Sequence, residues 1–187
     1  MIKKIGIQVI IGLSLFLSGC SWGNLQTYEK GNISATGVNY MCWGNFHYYQ
    51  LQIGNDNSPY YRHPSDWTLR LPDNTDVKSS QLTPEYLSQI NGVVIAEFHT
   101  ERGNRGTSYS LKYGVDSDGS WLNFYFVDNR LFWIAMGSNY AFCPPEQINL
   151  RIGTSDGKHI YYFPLQEAQL RELFGPPDRL ETSWLVP

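Results

Sequence analysis

Residues 121–136 read WLNFYFVDNRLFWIAM. Trp121–Val127 and Arg130–Met136 flank the dipeptide Asp128-Asn129. Both flanks are rich in aromatic and aliphatic side chains, which fit a pleated, half-buried surface. Asp and Asn tolerate the left-handed backbone that a two-residue hairpin loop requires. The stretch therefore predicts two antiparallel strands joined by a tight turn. Moving toward the N-terminus, Asp116–Ser120 (DSDGS) reads as a turn, and Thr107–Val115 alternates Tyr109, Leu111, Tyr113 and Val115 on one face. Glu101–Gly106 (ERGNRG) is a further turn, and Val93–Thr100 (VVIAEFHT) a further strand. Residues 93–136 together predict a four-strand antiparallel meander.

The same signals recur on either side. Ile33–Tyr40 and Phe46–Ile53 read as a strand pair joined across Met41–Asn45, and Gly54–Asp66 as a loop. Trp67–Leu71 is a short strand stopped by Pro72. Thr83, Pro84 and Glu85 are an N-cap, a first-turn proline and an acidic group at the positive end of a helix that Gly92 closes. Beyond Pro144-Pro145, Ile148–Ile152 and Lys158–Phe163 are strands around the turn Gly153–Gly157. Pro164–Phe174 carries Leu170, Leu173 and Phe174 on one helical stripe and ends at Gly175 and Pro176-Pro177. Arg179–Val186 is a final strand. The expected class is α+β, mostly β: an antiparallel sheet of about nine strands with two short helices.

The 187 residues are 42% apolar and 15% aromatic, a composition that builds a core. A net charge of -3 argues against a nucleic-acid partner, whose phosphates need a basic face. The N-terminus, MIKKIGIQVIIGLSLFLSGC, has the form of an export signal: Lys3 and Lys4, then an apolar run over Ile5–Leu17. As a helix that run covers about 20 Å, short of the roughly 30 Å bilayer core.

Leu17-Ser18-Gly19-Cys20 resembles the lipobox of bacterial lipoproteins. The resemblance implies a diacylglycerol on the Cys20 sulfur, removal of residues 1–19 as a signal peptide, and anchoring by acyl chains rather than by a spanning helix. Ser21 in place of Asp resembles the pattern that sorts such proteins to the outer membrane, facing the periplasm, in a Gram-negative host. On this reading residues 20–31 are the lipidated cysteine and a tether, and 32–187 a single periplasmic domain. Leu170–Asp178 (LRELFGPPD) is also similar to a helix-Gly-x-Pro-Asp corner in the small lipoprotein of the outer-membrane β-barrel assembly machinery. In that family the corner precedes the sheet, and here it follows nearly every strand, so no function is carried over from it.

Two cysteines remain, Cys42 and Cys143. In an oxidising compartment a disulfide is the simple pairing. Two buried free thiols are the alternative. A thiol nucleophile would want a histidine partner and zinc more ligands at short spacing, and neither cysteine shows them locally.

Motifs for catalysis are sparse. Asp116–Gly119 resembles the opening of a calcium loop, but the glycine falls at the fourth position rather than the sixth, which fits a hairpin turn. His47, His63, His99 and His159 show no metal-ligand spacing. No G-x-S-x-G elbow is present, and Gly103–Gly106 lacks the lysine of a phosphate loop. No metal or cofactor is expected, and no enzymatic activity. The enriched chemistry is aromatic. In doublets such as Tyr48-Tyr49 one ring faces each side of the sheet, so one is core and the other is open to a partner unless a second layer covers both faces. The candidate partner surface is Tyr48, Tyr49, Tyr125 and Trp133, with Arg102 and Arg105 at a hairpin tip suited to an acidic partner. The expected function is a lipid-anchored, monomeric or weakly dimeric lipoprotein that binds another protein, such as an immunity or inhibitor protein against a toxin acting in the periplasm. An envelope-assembly accessory and a cell-wall glycan module are the alternatives.

Overall fold

Buried and half-exposed side chains alternate without interruption along Ser120–Val127, so one face of that strand is core and the other borders solvent. The rest of the molecule is organised on the same sheet. A computed structural model describes residues 23–40, 45–54, 66–113, 120–138 and 150–185. Its strands are β1 (Gly23–Lys30), β2 (Ile33–Tyr40), β3 (His47–Ile53), β4 (Trp67–Arg70), β5 (Asp76–Lys78), β6 (Val94–His99), β7 (Arg105–Tyr113), β8 (Ser120–Val127), β9 (Arg130–Ser138), β10 (Arg151–Thr154), β11 (Ile160–Tyr162), β12 (Leu165–Gln166) and β13 (Arg179–Leu185). The helices are α1 (Pro84–Ser88) and α2 (Glu167–Phe174). Nine strands form one sheet in the order β13-β1-β2-β3-β9-β8-β7-β6, with β12 alongside β3. A four-stranded sheet has the order β11-β10-β4-β5. Each pairing is antiparallel. The class is therefore mostly β, with an antiparallel sheet of nine strands and two short helices.

The 93–136 meander is present as β6-β7-β8-β9. At its sharpest turn Asp128 and Asn129 adopt φ of 52° and 58°, the left-handed pair that a two-residue loop demands. A bulge follows: Tyr125 is opposite Trp133 and Phe126 opposite Leu131, so Phe132 is the extra residue. The core side of the large sheet (Leu111, Leu122, Phe124, Ile134, Met136, Leu51, Ile53) packs on Trp67, Leu69 and Ile152 of the small sheet and on Leu87, Leu170 and Leu173 of the helices, in one cluster. Burying each Leu or Ile contributes about 1.5–3 kcal/mol. Thr83 caps α1, its hydroxyl accepting from Tyr86 N at 3.2 Å. The helix ends at Ser88, earlier than the expected stop, and Gly92 takes its φ of +80° in the following turn.

Two expectations are corrected. Residues 20–31 were expected to be a tether, yet Gly23–Lys30 is a strand inside the large sheet, hydrogen-bonded to β2 on one side and β13 on the other. The domain therefore begins by Gly23, not residue 32. Polar core positions hid this strand: Gln26 and Tyr28 are buried and satisfied. Second, the strands divide between two sheets rather than one. The signal segment, Cys20, Cys42, Cys143, His63, the turn Asp116–Gly119 and Pro144-Pro145 lie outside the described residues.

Tyr28 and Tyr48 are the largest fully buried side chains, and their rings meet edge to face at 6.4 Å. The Tyr28 hydroxyl donates to the carbonyl of Gly175, the C-cap of α2, and lies 3.5 Å from the Leu170 carbonyl inside the helix. The Tyr48 hydroxyl donates to Gln26 Oε1, and Gln26 Nε2 donates to Thr182 on β13 at 3.1 Å. At the C-terminal end of β1, near Tyr28, Asp178 accepts from Lys30 Nζ at 2.5 Å and Gly31 N at 2.9 Å. Asp66 plays a similar role beside the small sheet, accepting from Ser79 Oγ at 2.6 Å, Ser80 N at 2.9 Å and Ser80 Oγ at 2.7 Å.

Tyr28→Phe keeps the ring and removes the donor to the Gly175 carbonyl at the end of α2. The expected loss is about 1–3 kcal/mol in urea denaturation. A loss below the error of the measurement would show that water satisfies that carbonyl. Burial raises the Asp66 carboxyl, but the serine bonds and Lys78 outweigh it and hold it below its ordinary 3.8. Its contribution is therefore complete above about pH 4 and fades as pH falls through the lower, folded-state value. Asp66→Asn should be less stable than the parent at neutral pH, with the gap closing on acidification. A gap independent of pH would exclude the carboxylate as its cause.

Candidate functional site

The face of β6–β9 opposite the core carries a row of rings. β8 sends Leu122, Phe124 and Phe126 inward, which leaves Trp121, Asn123 and Tyr125 on the other side. Trp133 stands directly across from Tyr125 on β9, with ring centroids 4.1 Å apart and planes tilted by 39°. Phe98 of β6 meets Tyr125 edge to face at 5.3 Å and lies 5.9 Å from Trp133. Two glycines make room for this layer. An added Cβ at Gly106 would sit 2.5 Å from both the Phe98 ring and the Phe126 carbonyl oxygen. One at Gly137 would sit 2.8 Å from the Trp121 ring and from the Tyr49 carbonyl oxygen. Phe98, Trp121, Tyr125 and Trp133 are all half-buried. Burial raises the Tyr125 phenol above its ordinary value, against a hydrogen bond with the Asn123 side chain that lowers it. The buried Trp133 Nε1 has no hydrogen-bond partner among the described residues.

Of the residues singled out by sequence, Tyr125 and Trp133 come together on this face. Tyr48 does not join them: it is 1% exposed and held by Gln26, so its place in the candidate surface is corrected to the core. Its ring is also what Gly37 makes room for, a Cβ there meeting Tyr48 at 2.9 Å. Tyr49 is half-buried at the bulge where β3 passes from Gln50 opposite Thr36 to Tyr48 opposite Gly37. It lies near Gly137, the other end of β9 from Trp133. Arg105 is exposed, and its guanidinium is paired with Glu97. Arg102 is exposed in the turn between β6 and β7. Arg105 also lines a shallow polar notch of about 360 Å³ with Thr107, Asp128 and Asn129. Sequence reasoning did not place Phe98 or Trp121 on the surface. The signal available was the pair of glycines opposite them, Gly106 and Gly137, each inside a strand.

A second concavity, about 240 Å³, lies on the β11–α2 side and is lined by His47, Tyr161, Tyr162, Gln166 and Gln169. Burial lowers the His47 imidazole below its ordinary value, which keeps it neutral at neutral pH. Beside it Glu172 accepts from the Tyr161 hydroxyl, which raises that phenol, and lies 3.4 Å from His159 Nδ1. Among the described residues no three His, Cys, Asp or Glu side chains gather into a metal-binding group. No described helix is long and apolar enough to cross a membrane.

Comparison of the chain with known protein families, curated proteins and solved structures found no match. The functional reading therefore rests on this chain's own residues.

Trp133→Ala and Tyr125→Ala should each cost markedly less stability than Tyr48→Ala, for which loss of a fully buried ring is expected to cost about 3–5 kcal/mol. Thermal and urea unfolding of the three variants side by side will test this. Equal losses would mean that the outer rings are as much core as Tyr48.

Proposed function

We propose that this chain is a non-enzymatic lipoprotein of the bacterial envelope, anchored through acyl chains on Cys20, that binds another protein through the outer aromatic face of β6–β9. The observation that carries the reading is the half-exposed cluster of Phe98, Tyr125 and Trp133. Rigid aromatic rings lose little side-chain entropy on binding and dominate many protein interfaces. An immunity or inhibitor protein against a toxin acting in the periplasm is the favoured subclass, with attachment to the outer membrane. An envelope-assembly accessory factor shares the same surface requirements. A second reading, a cell-wall glycan module, is supported by the concavity of tyrosine, glutamine and histidine side chains around Tyr161 and Gln166, a lining suited to hydroxyl-rich rings.

A Cys42–Cys143 disulfide belongs to the proposal. β2 and β9 both run antiparallel to β3, one on each side of it, so both chains leave the same end of the sheet. Cys42 follows Tyr40 by two residues and Cys143 follows Ser138 by five. Seven residues span up to about 23 Å, against two strand spacings of about 4.8 Å each plus an offset along the strands.

The expected results are these. Cys20→Ala leaves an unprocessed precursor or a species released from membranes. Thiol alkylation without reductant labels neither Cys42 nor Cys143. In pull-downs from envelope extracts, Trp133→Ala and Tyr125→Ala lose a protein that the parent retains, while Tyr162→Ala keeps it. Loss on Tyr162→Ala alone, together with retention on murein sugars, would favour the glycan reading. Turnover of esters, peptides or glycans that vanishes on a single substitution would overturn the non-enzymatic one.

A further inference from the structure

We infer that the corner of the large sheet where β1 begins and β13 ends lies against the lipid surface that holds the Cys20 acyl chains, with Trp184 seated among the headgroups. The inference rests on the anchoring reading above and adds an orientation to it. β13 is an edge strand, and Trp184 is 74% exposed on it, the most exposed of the large apolar side chains described. Strand register places Trp184 opposite Asn24 and Leu185 opposite Gly23. Gly23 is only three residues after Cys20, a reach of at most about 11 Å. Because β1 begins there, the tether expected over residues 20–31 is not available as slack. A cysteine acylated into the bilayer must hold this end of the sheet within about one headgroup layer of the membrane.

Charge is segregated along the same strands. Residues 23–28, 35–40 and 182–185, which meet at this end, include no Asp, Glu, Lys or Arg. Glu29, Lys30, Asp178, Arg179 and Glu181 lie toward the far end, where they pair with one another. An uncharged end bearing one amphipathic indole matches the membrane interface, where tryptophan is favoured because its ring is apolar and its N–H finds water or headgroup oxygens. Along the sheet order the aromatic face of β9, β8, β7 and β6 lies four to seven strands away from β13.

The test uses the mature, full-length protein in vesicles of phosphatidylethanolamine and phosphatidylglycerol with brominated acyl chains. Bromine quenches only indoles at the membrane. The expected result is that Trp184→Phe loses a large part of the quenching, and loses it again in a Trp22→Phe background, since Trp22 also neighbours the anchor. Unfolding temperature should not change, because the replaced ring is exposed. Mass spectrometry of the same samples separates the two ways to fail. Acylated, vesicle-bound protein whose quenching is unaffected by Trp184→Phe overturns the orientation and leaves the anchor intact. Protein without acyl mass on Cys20 overturns the anchor and the orientation with it. A photo-crosslinker at position 184 that captures a protein rather than lipid in cells would assign the β13 edge to a protein partner and overturn the inference.

Discussion

Burying the hydroxyl of Tyr28 is the constraint on which the rest of the sheet depends. A phenol taken out of water without a partner costs a few kcal/mol, and here the acceptors are the Gly175 carbonyl that caps α2 and, farther off, the Leu170 carbonyl within it. That requirement fixes α2 over β1 and brings the following residues, Arg179–Leu185, down beside β1. Gln26 extends the same logic, accepting from Tyr48 of β3 and donating to Thr182 of β13. Three strands and a helix are thus cross-linked by polar bonds of side chains. The glycine at position 37 admits the second tyrosine ring. Change any one member and the others lose a partner, so the network specifies a single register where apolar packing would tolerate slippage.

How much of this was legible varied with how local the determinants were. The β8–β9 hairpin was readable because two adjacent residues and two alternating flanks specify it. The 93–136 meander and the α2 stop at Gly175 were readable for the same reason. β1 was not. Its inward positions are Gly23, Gln26 and Tyr28, which show neither the period nor the composition of a buried strand. What makes them inward is the partner strand β13, about 150 residues later in the chain. The split of the strands into two sheets also escaped, since local patterning says which side of a strand is apolar but not which sheet it joins.

The candidate surface divides in the same way. Tyr125 and Trp133 could be named because rings in alternating strands must emerge somewhere. Which member of the Tyr48-Tyr49 doublet faced inward could not, because the bulge in β3 breaks strict alternation. Phe98 and Trp121 escaped because their exposure depends on glycines in neighbouring strands. Arg105 was read as a charge open to an acidic partner, whereas the pairing of β6 with β7 gives it Glu97.

The pairing of the first described strand with the last has a consequence for the order of events as the chain comes to life. When β1 has been made, β2 follows at once and can zip onto it through a two-residue turn at Gly31 and Asn32. Its other edge stays open until residues 179–185, some 150 positions later, have been made. Closing so long a loop carries a large entropic cost and makes for slow folding. The bare edge is meanwhile a template for any other extended segment. Completion of the sheet is thus a check on synthesis past β13: a chain that stops before Arg179 keeps the local structure made by then but cannot cover Tyr28 with β13, and quality-control proteases would meet it with that edge still exposed.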